Sequence, residues 1–101
     1  MKNPDRQKVT DLTDLPNVGR AIARDLRLVG IQKPTDLIGK NAYQLHYELC
    51  RVTGDKHDPC VIDVFLAVID FMEGGDPVPW WEFTAERKRR TTEDHEASFN
   101  D

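Results

Sequence analysis

Leu15-Pro16-Asn17-Val18-Gly19-Arg20-Ala21-Ile22-Ala23 is the stretch on which the reading of this chain turns. Pro16 fixes one backbone angle, and Asn17 and Gly19 are residue types that tolerate positive φ. The pattern predicts a tight turn, with Val18 plugged into a core, that runs straight into an amphipathic helix. The backbone N–H groups of Val18, Gly19 and Arg20 would then open that helix without intrahelical acceptors. Unpaired donors and the positive end of the helix dipole point the same way at such a terminus, so it attracts anions. Arg20, Arg24 and Arg27 follow at spacings of four and three and share one face. A phosphate on the turn would have guanidinium groups beside it. The competing reading is a structural turn whose arginines form a solvated face, with Asp25 among them.

Outward from this turn the whole chain reads as helical, with no strand pattern and no repeat. A short helix is expected over Gln7 to Thr13 and a second over Val18 to Leu28, with Ile22, Leu26 and Val29 as its core stripe. Gly30 suits the end of that helix, with Ile31 as the apolar contact after it. Pro34 suits the first turn of a third, ending near Gly39. Asn41 is placed to cap a fourth, which Gly54 stops. Asp58 and Pro59 start a fifth that runs to Met72 or Glu73 and is apolar nearly all round, as a central helix would be. Asp63 and Asp70 are expected to form its solvent edge. Asp76-Pro77-Val78-Pro79 must be extended, Trp80, Trp81 and Phe83 are expected to fold back as a lid, and a last short helix is expected over Ala85 to Arg89.

The chain has 101 residues and a net charge of −4, the balance of one ordinary soluble domain. Residues 1–6 read as a flexible arm, 7–90 as a single domain and 91–101 as a disordered acidic tail. No leader or membrane-spanning segment is visible in the sequence, so a cytoplasmic location is expected. The charge is unevenly distributed. Leu15 to Cys60 carries seven basic and five acidic residues, whereas Val61 to Glu86 carries six acids and no Lys or Arg. Arg87-Lys88-Arg89-Arg90 restores a basic run before the acidic end. The half that holds the turn is the one suited to a nucleic-acid partner.

Two further constellations carry possible chemistry. His46 and Cys50 lie four apart on a helix, with His57 and Cys60 across the next turn. Four such ligands can hold tetrahedral zinc, but the spacing matches no standard zinc module. Cysteine is equally at home as a small core residue. Cys60 near a helix start, with His57 close by, would be the nucleophile of an enzyme, yet no partner groups can be named. No metal, cofactor or catalytic residue is therefore expected. Trp80 and Trp81 could stack on bases or anchor a protein partner. Their acidic neighbours Asp76, Glu82 and Glu86 favour packing or protein contact.

Leu15, Pro16, Val18, Gly19 and Ala23 resemble the helix-hairpin-helix motif, whose hairpin usually reads Leu-Pro-Gly-Val-Gly. Asn17 departs from it by replacing a glycine. Leu28-Val29-Gly30-Ile31 and Thr35-Asp36-Leu37 look like the usual continuation of such domains. His57 to Phe65 and Pro79-Trp80-Trp81-Glu82-Phe83-Thr84 resemble a bacterial family of small "pathogenicity locus" proteins, some labelled mitomycin-resistance proteins. The likeness runs from about Leu12 to Lys88. It implies an all-α, SAM-like fold of about five helices with a single helix-hairpin-helix and a long apolar central helix. It further implies weak, sequence-independent binding of DNA or RNA backbone through Asn17, Val18, Gly19, Arg20, Arg24 and Arg27, with a link to DNA maintenance or stress resistance. A protein–protein module using the Trp80-Trp81 segment is the alternative.

Overall fold

The computed structural model describes residues 5–90, which are all-helical with no strand among them. Four α-helices carry the fold: α1 (Arg20–Leu28), α2 (Ala42–Thr53), α3 (Cys60–Met72) and α4 over 84–90. Three short 3-10 turns, Leu12–Asp14, Pro34–Leu37 and Trp80–Phe83, join them. The count is therefore four rather than about five. The expected helices over Gln7 to Thr13 and Pro34 to Gly39 are single turns, and a carboxylate closes the entrance of each. The Asp14 carboxylate reaches back to the backbone N–H groups of Thr10 and Asp11, at 3.1 and 3.0 Å. Asp36 does the same to Gln32 and Lys33, at 3.0 and 3.2 Å. Such a carboxylate locks the first amides of a turn, and both turns end where the next residue, Leu15 or Ile38, is extended.

Helix α1 starts at Arg20, two residues later than expected, because Asn17 sits at φ 69° and Gly19 is extended. Its end is a Schellman turn. Gly30 at φ 90° lets the Ile31 N–H reach the Leu26 carbonyl at 2.9 Å while Gly30 N–H bonds Arg27 at 3.1 Å, and Ile31 is buried beneath. Asn41 caps α2 by accepting from Tyr43 and Gln44 N–H, and Gly54 at φ 70° ends it. Asp58 accepts from Cys60 N–H at 2.8 Å where α3 begins.

Nine of the thirteen residues of α3 are buried, and it packs against α2 and the Trp80–Phe83 turn. Leu15, Leu26, Leu37, Leu49, Phe65 and Val68 are wholly buried around it. Asp63 is wholly buried too, which corrects the expected solvent edge; Asp70 alone is exposed. Arg87 from α4 lies over Asp63 and donates to it from Nε at 2.9 Å, and Thr84 adds a hydroxyl bond at 2.8 Å. The charge is buried because its partners arrive from the far end of the chain. Arg87 is held protonated, its pKa raised chiefly by that hydrogen bond.

Arg6 was read as part of a loose arm. In the structure its guanidinium donates to the Phe71 and Gly75 carbonyls at 2.8 and 2.7 Å and lies over the Phe71 ring. It thereby satisfies carbonyls at the end of α3, where a cation is favoured by the helix dipole. The remaining arm positions 1–4 and the acidic tail 91–101 lie outside the described residues. No helix among the described residues is long and apolar enough to cross a membrane.

Candidate nucleic-acid interface

The turn that delivers the chain into α1 is built by two residues of different kinds. Asn17 alone among the non-glycine residues described takes positive φ, at 69°. Gly19, at φ −99° and ψ −168°, is ordinary extended backbone that any residue adopts. Val18 is buried, as a plug, but its amide is not free: it donates to the Leu15 carbonyl at 3.4 Å. The open amides thus begin one residue later than expected. Gly19 caps α1 with no side chain to offer, and its carbonyl accepts the first intrahelical bond, from Ala23 N–H at 3.0 Å. Gly19, Arg20 and Ala21 N–H groups have no acceptor among the described residues. A Cβ placed on Gly19 would meet nothing within 4 Å, and Gly19, Arg20 and Ala21 are all exposed.

Arg20, Arg24 and Arg27 are exposed and, with Thr13 and Ala21, line one shallow depression beside this terminus. Arg24 lies 3.9 Å from the Asp25 carboxylate, too long for a hydrogen bond. Asp25 is buried, and that same oxygen has no hydrogen-bond partner. Arg20 and Arg27 form no ion pair among the described residues. The face therefore holds three solvated cations over one buried anion, an arrangement that attracts phosphate modestly.

The sequence places Asn17 among the phosphate-binding turn residues as a stand-in for glycine. Its side chain instead serves the chain itself. Nδ2 donates to the Val78 carbonyl at 2.8 Å and Oδ1 accepts from Trp80 N–H at 3.2 Å. One amide thus ties the turn to a segment sixty residues further on. The result is a groove with Leu15, Val18 and Gly19 on one side and Pro79, Trp80 and Trp81 on the other. Trp80 is half-buried, whereas Trp81 is 61% exposed, so the aromatic lid is only partly closed. Sequence reasoning treated the turn and the tryptophans as separate features; a side-chain amide in place of the usual glycine was the one available clue.

The four metal-ligand candidates separate into two places. His46 Nε2 stands 3.1 Å from the His57 carbonyl and 4.0 Å from Cys50 Sγ, which also accepts the His57 N–H at 3.4 Å. The His57 ring turns away to the Thr53 hydroxyl at 2.8 Å. Cys60 faces Asp58 and Arg87 instead, with Arg87 Nη2 at 4.0 Å. Among the described residues no group of three or more His, Cys, Asp and Glu side chains could hold a metal ion. The Cys60 thiol is pushed up, first by its hydrogen bond to Asp58 and then by burial. That direction is opposite to the one an activated nucleophile needs.

Residues 5–89 match the model of a family described as "pathogenicity locus". A protein of Streptomyces lavendulae described as "Mitomycin resistance protein McrB" is 38% identical over 80 residues, covering 79% of this chain and 76% of the relative. No solved structure matches the chain. With a family match over most of its length and a relative this similar, the chain belongs to the pathogenicity locus family.

Proposed function

We propose that this chain is a non-catalytic helix-hairpin-helix protein that holds DNA or RNA by its backbone phosphates without reading sequence. The observation that carries the proposal is the uncapped start of α1, with open space over Gly19 and three exposed arginines on the adjoining face. A phosphate oxygen at the Gly19, Arg20 and Ala21 N–H groups would gain donors and the helix dipole together. Contacts of this kind position a backbone and carry no base information. The relative's description, mitomycin resistance, supports a role in DNA maintenance or stress resistance. A second reading, a protein–protein module using the Trp80-Trp81 segment, is favoured by the exposure of Trp81 alone.

A single turn with three cations gives weak binding, with Kd on the order of 10⁻⁴–10⁻⁶ M at physiological salt. Titration of a generic duplex by fluorescence anisotropy at two salt concentrations tests this. Three phosphate contacts give a slope of log K against log salt of about −2 to −3, and Arg20→Ala with Arg24→Ala removes about one to two units of it. A salt-insensitive interaction, or a folded double variant with unchanged slope, overturns the proposal.

A further inference from the structure

We infer that the strand held at this site is unpaired, with one base on the indole of Trp81 and the neighbouring phosphate at the start of α1. The inference rests on the phosphate reading above and names its substrate class. The backbone that carries Trp81 is tied down on both sides. The chain just before it is fixed by Asn17, which bonds Val78 and Trp80, and the chain just after it by Thr84 and Arg87 on buried Asp63. Between these anchors Trp81 is 61% exposed. Its contact with Trp80 is edge to face, with centroids 5.7 Å apart and planes at 81°, so a face of the Trp81 ring stays uncovered by its neighbour. A large aromatic kept out of the core by anchors on both sides is a presented surface.

What it is presented to follows from the neighbours. The tryptophan groove and the arginine depression meet at Gly19 and Arg20, which line one and the other. A path across this surface therefore passes an indole, unpaired amides and a guanidinium in turn, the order of a base and its phosphate along a strand. No charged side chain lines the groove; Asp76 and Glu82 lie outside it. A duplex keeps its bases stacked inside and has none to offer the ring, whereas an unpaired strand stacks freely on exposed aromatics. The polar side chain in the groove, Asn17, is already engaged by Val78 and Trp80. With no charged side chain in the groove and Asn17 already engaged, no side chain is set to pick out a 2′-hydroxyl, so DNA and RNA strands are expected to bind alike.

The test uses the full chain with short fluorescent oligothymidylate, oligouridylate and a blunt duplex, for the wild type, Trp81→Ala and Trp81→Phe. Urea unfolding shows that the variants fold; the exposed position makes both tolerable. The expected result is tighter binding of both single strands than of duplex. Trp81→Ala then loses about 5- to 150-fold on the single strands, the range for one base–aromatic stack, and about twofold or less on duplex. Trp81→Phe retains most of the affinity. Equal affinity for duplex and single strand with no Trp81 effect overturns this inference and leaves the phosphate reading standing. A site that binds polyglutamate through Trp81 and no oligonucleotide is a protein surface, which overturns it as well. No binding of any nucleic acid by the wild type overturns both readings.

Discussion

Asn17→Gly would restore the usual glycine of the hairpin, yet the structure predicts that it weakens the protein. Asn17 makes two half-buried bonds, to the Val78 carbonyl and from Trp80 N–H. Each is worth about 0.5–1.5 kcal/mol net, so their loss costs about 1–3 kcal/mol. Glycine relieves the φ of 69°, but asparagine tolerates that region well, so little is recovered. A freer unfolded chain adds about 0.5–1 kcal/mol to the cost. The expected net loss is about 2 kcal/mol, or roughly 8–16 °C of Tm for a domain of this size. Urea unfolding followed by tryptophan fluorescence measures it. Asn17→Asp sharpens the test, because it keeps the acceptor for Trp80 but sets an oxygen against the Val78 carbonyl. It is expected to lose more than Asn17→Gly at neutral pH despite its nearly identical shape. An Asn17→Gly variant as stable as the wild type would refute the clamp.

Arg87→Met leaves the buried Asp63 carboxyl with only the Thr84 hydroxyl, and is expected to cost about 3 kcal/mol, the low end for breaking a buried pair. Asp63→Leu with Arg87→Met should recover most of this, and a single-variant loss below about 1 kcal/mol in urea contradicts the role of the pair. Gly19→Val is expected to cost under about 1 kcal/mol of stability, since Gly19 is extended and faces open space, while it blocks approach to the α1 amides. Unchanged duplex affinity in that folded variant would show that nothing approaches there. Asp36 is held below the ordinary carboxylate range, first by the Gln32 N–H and then by Lys33. A depressed pKa contributes stability above the unfolded value and loses it as pH falls through the folded one. Asp36→Asn should therefore shift the unfolding midpoint at pH 7 and converge with the wild type in acid; a shift that persists there argues against the charge.

Local rules carried the sequence reading a long way. Gly30 with Ile31, Asn41 and Gly54 ended or capped helices where their chemistry said they should, because caps depend on a few adjacent residues. The same reasoning overextended the turns that hold Asp14 and Asp36. A carboxylate reaching back three or four residues looks like a helix start in sequence and is equally the lock of a single turn. What stayed illegible was long-range. Asp63 looked like an exposed charge on an apolar helix until Arg87 came down on it from twenty-four residues away. Asn17 looked like a conformational substitute for glycine until its amide met Val78 and Trp80. The arginine face needed only helical periodicity and so was visible, whereas the groove it adjoins depends on two segments meeting in space.

The uncapped start of α1 is tested most directly by backbone amide spectra of isotopically labelled protein during titration with a short nucleic-acid strand at low salt. The largest shifts are expected at Gly19, Arg20 and Ala21, with smaller ones along Arg24 and Arg27, and all of them are lost as salt is raised. Shifts confined to the basic run Lys88-Arg89-Arg90, or none at all at saturating strand, would contradict binding at the start of α1.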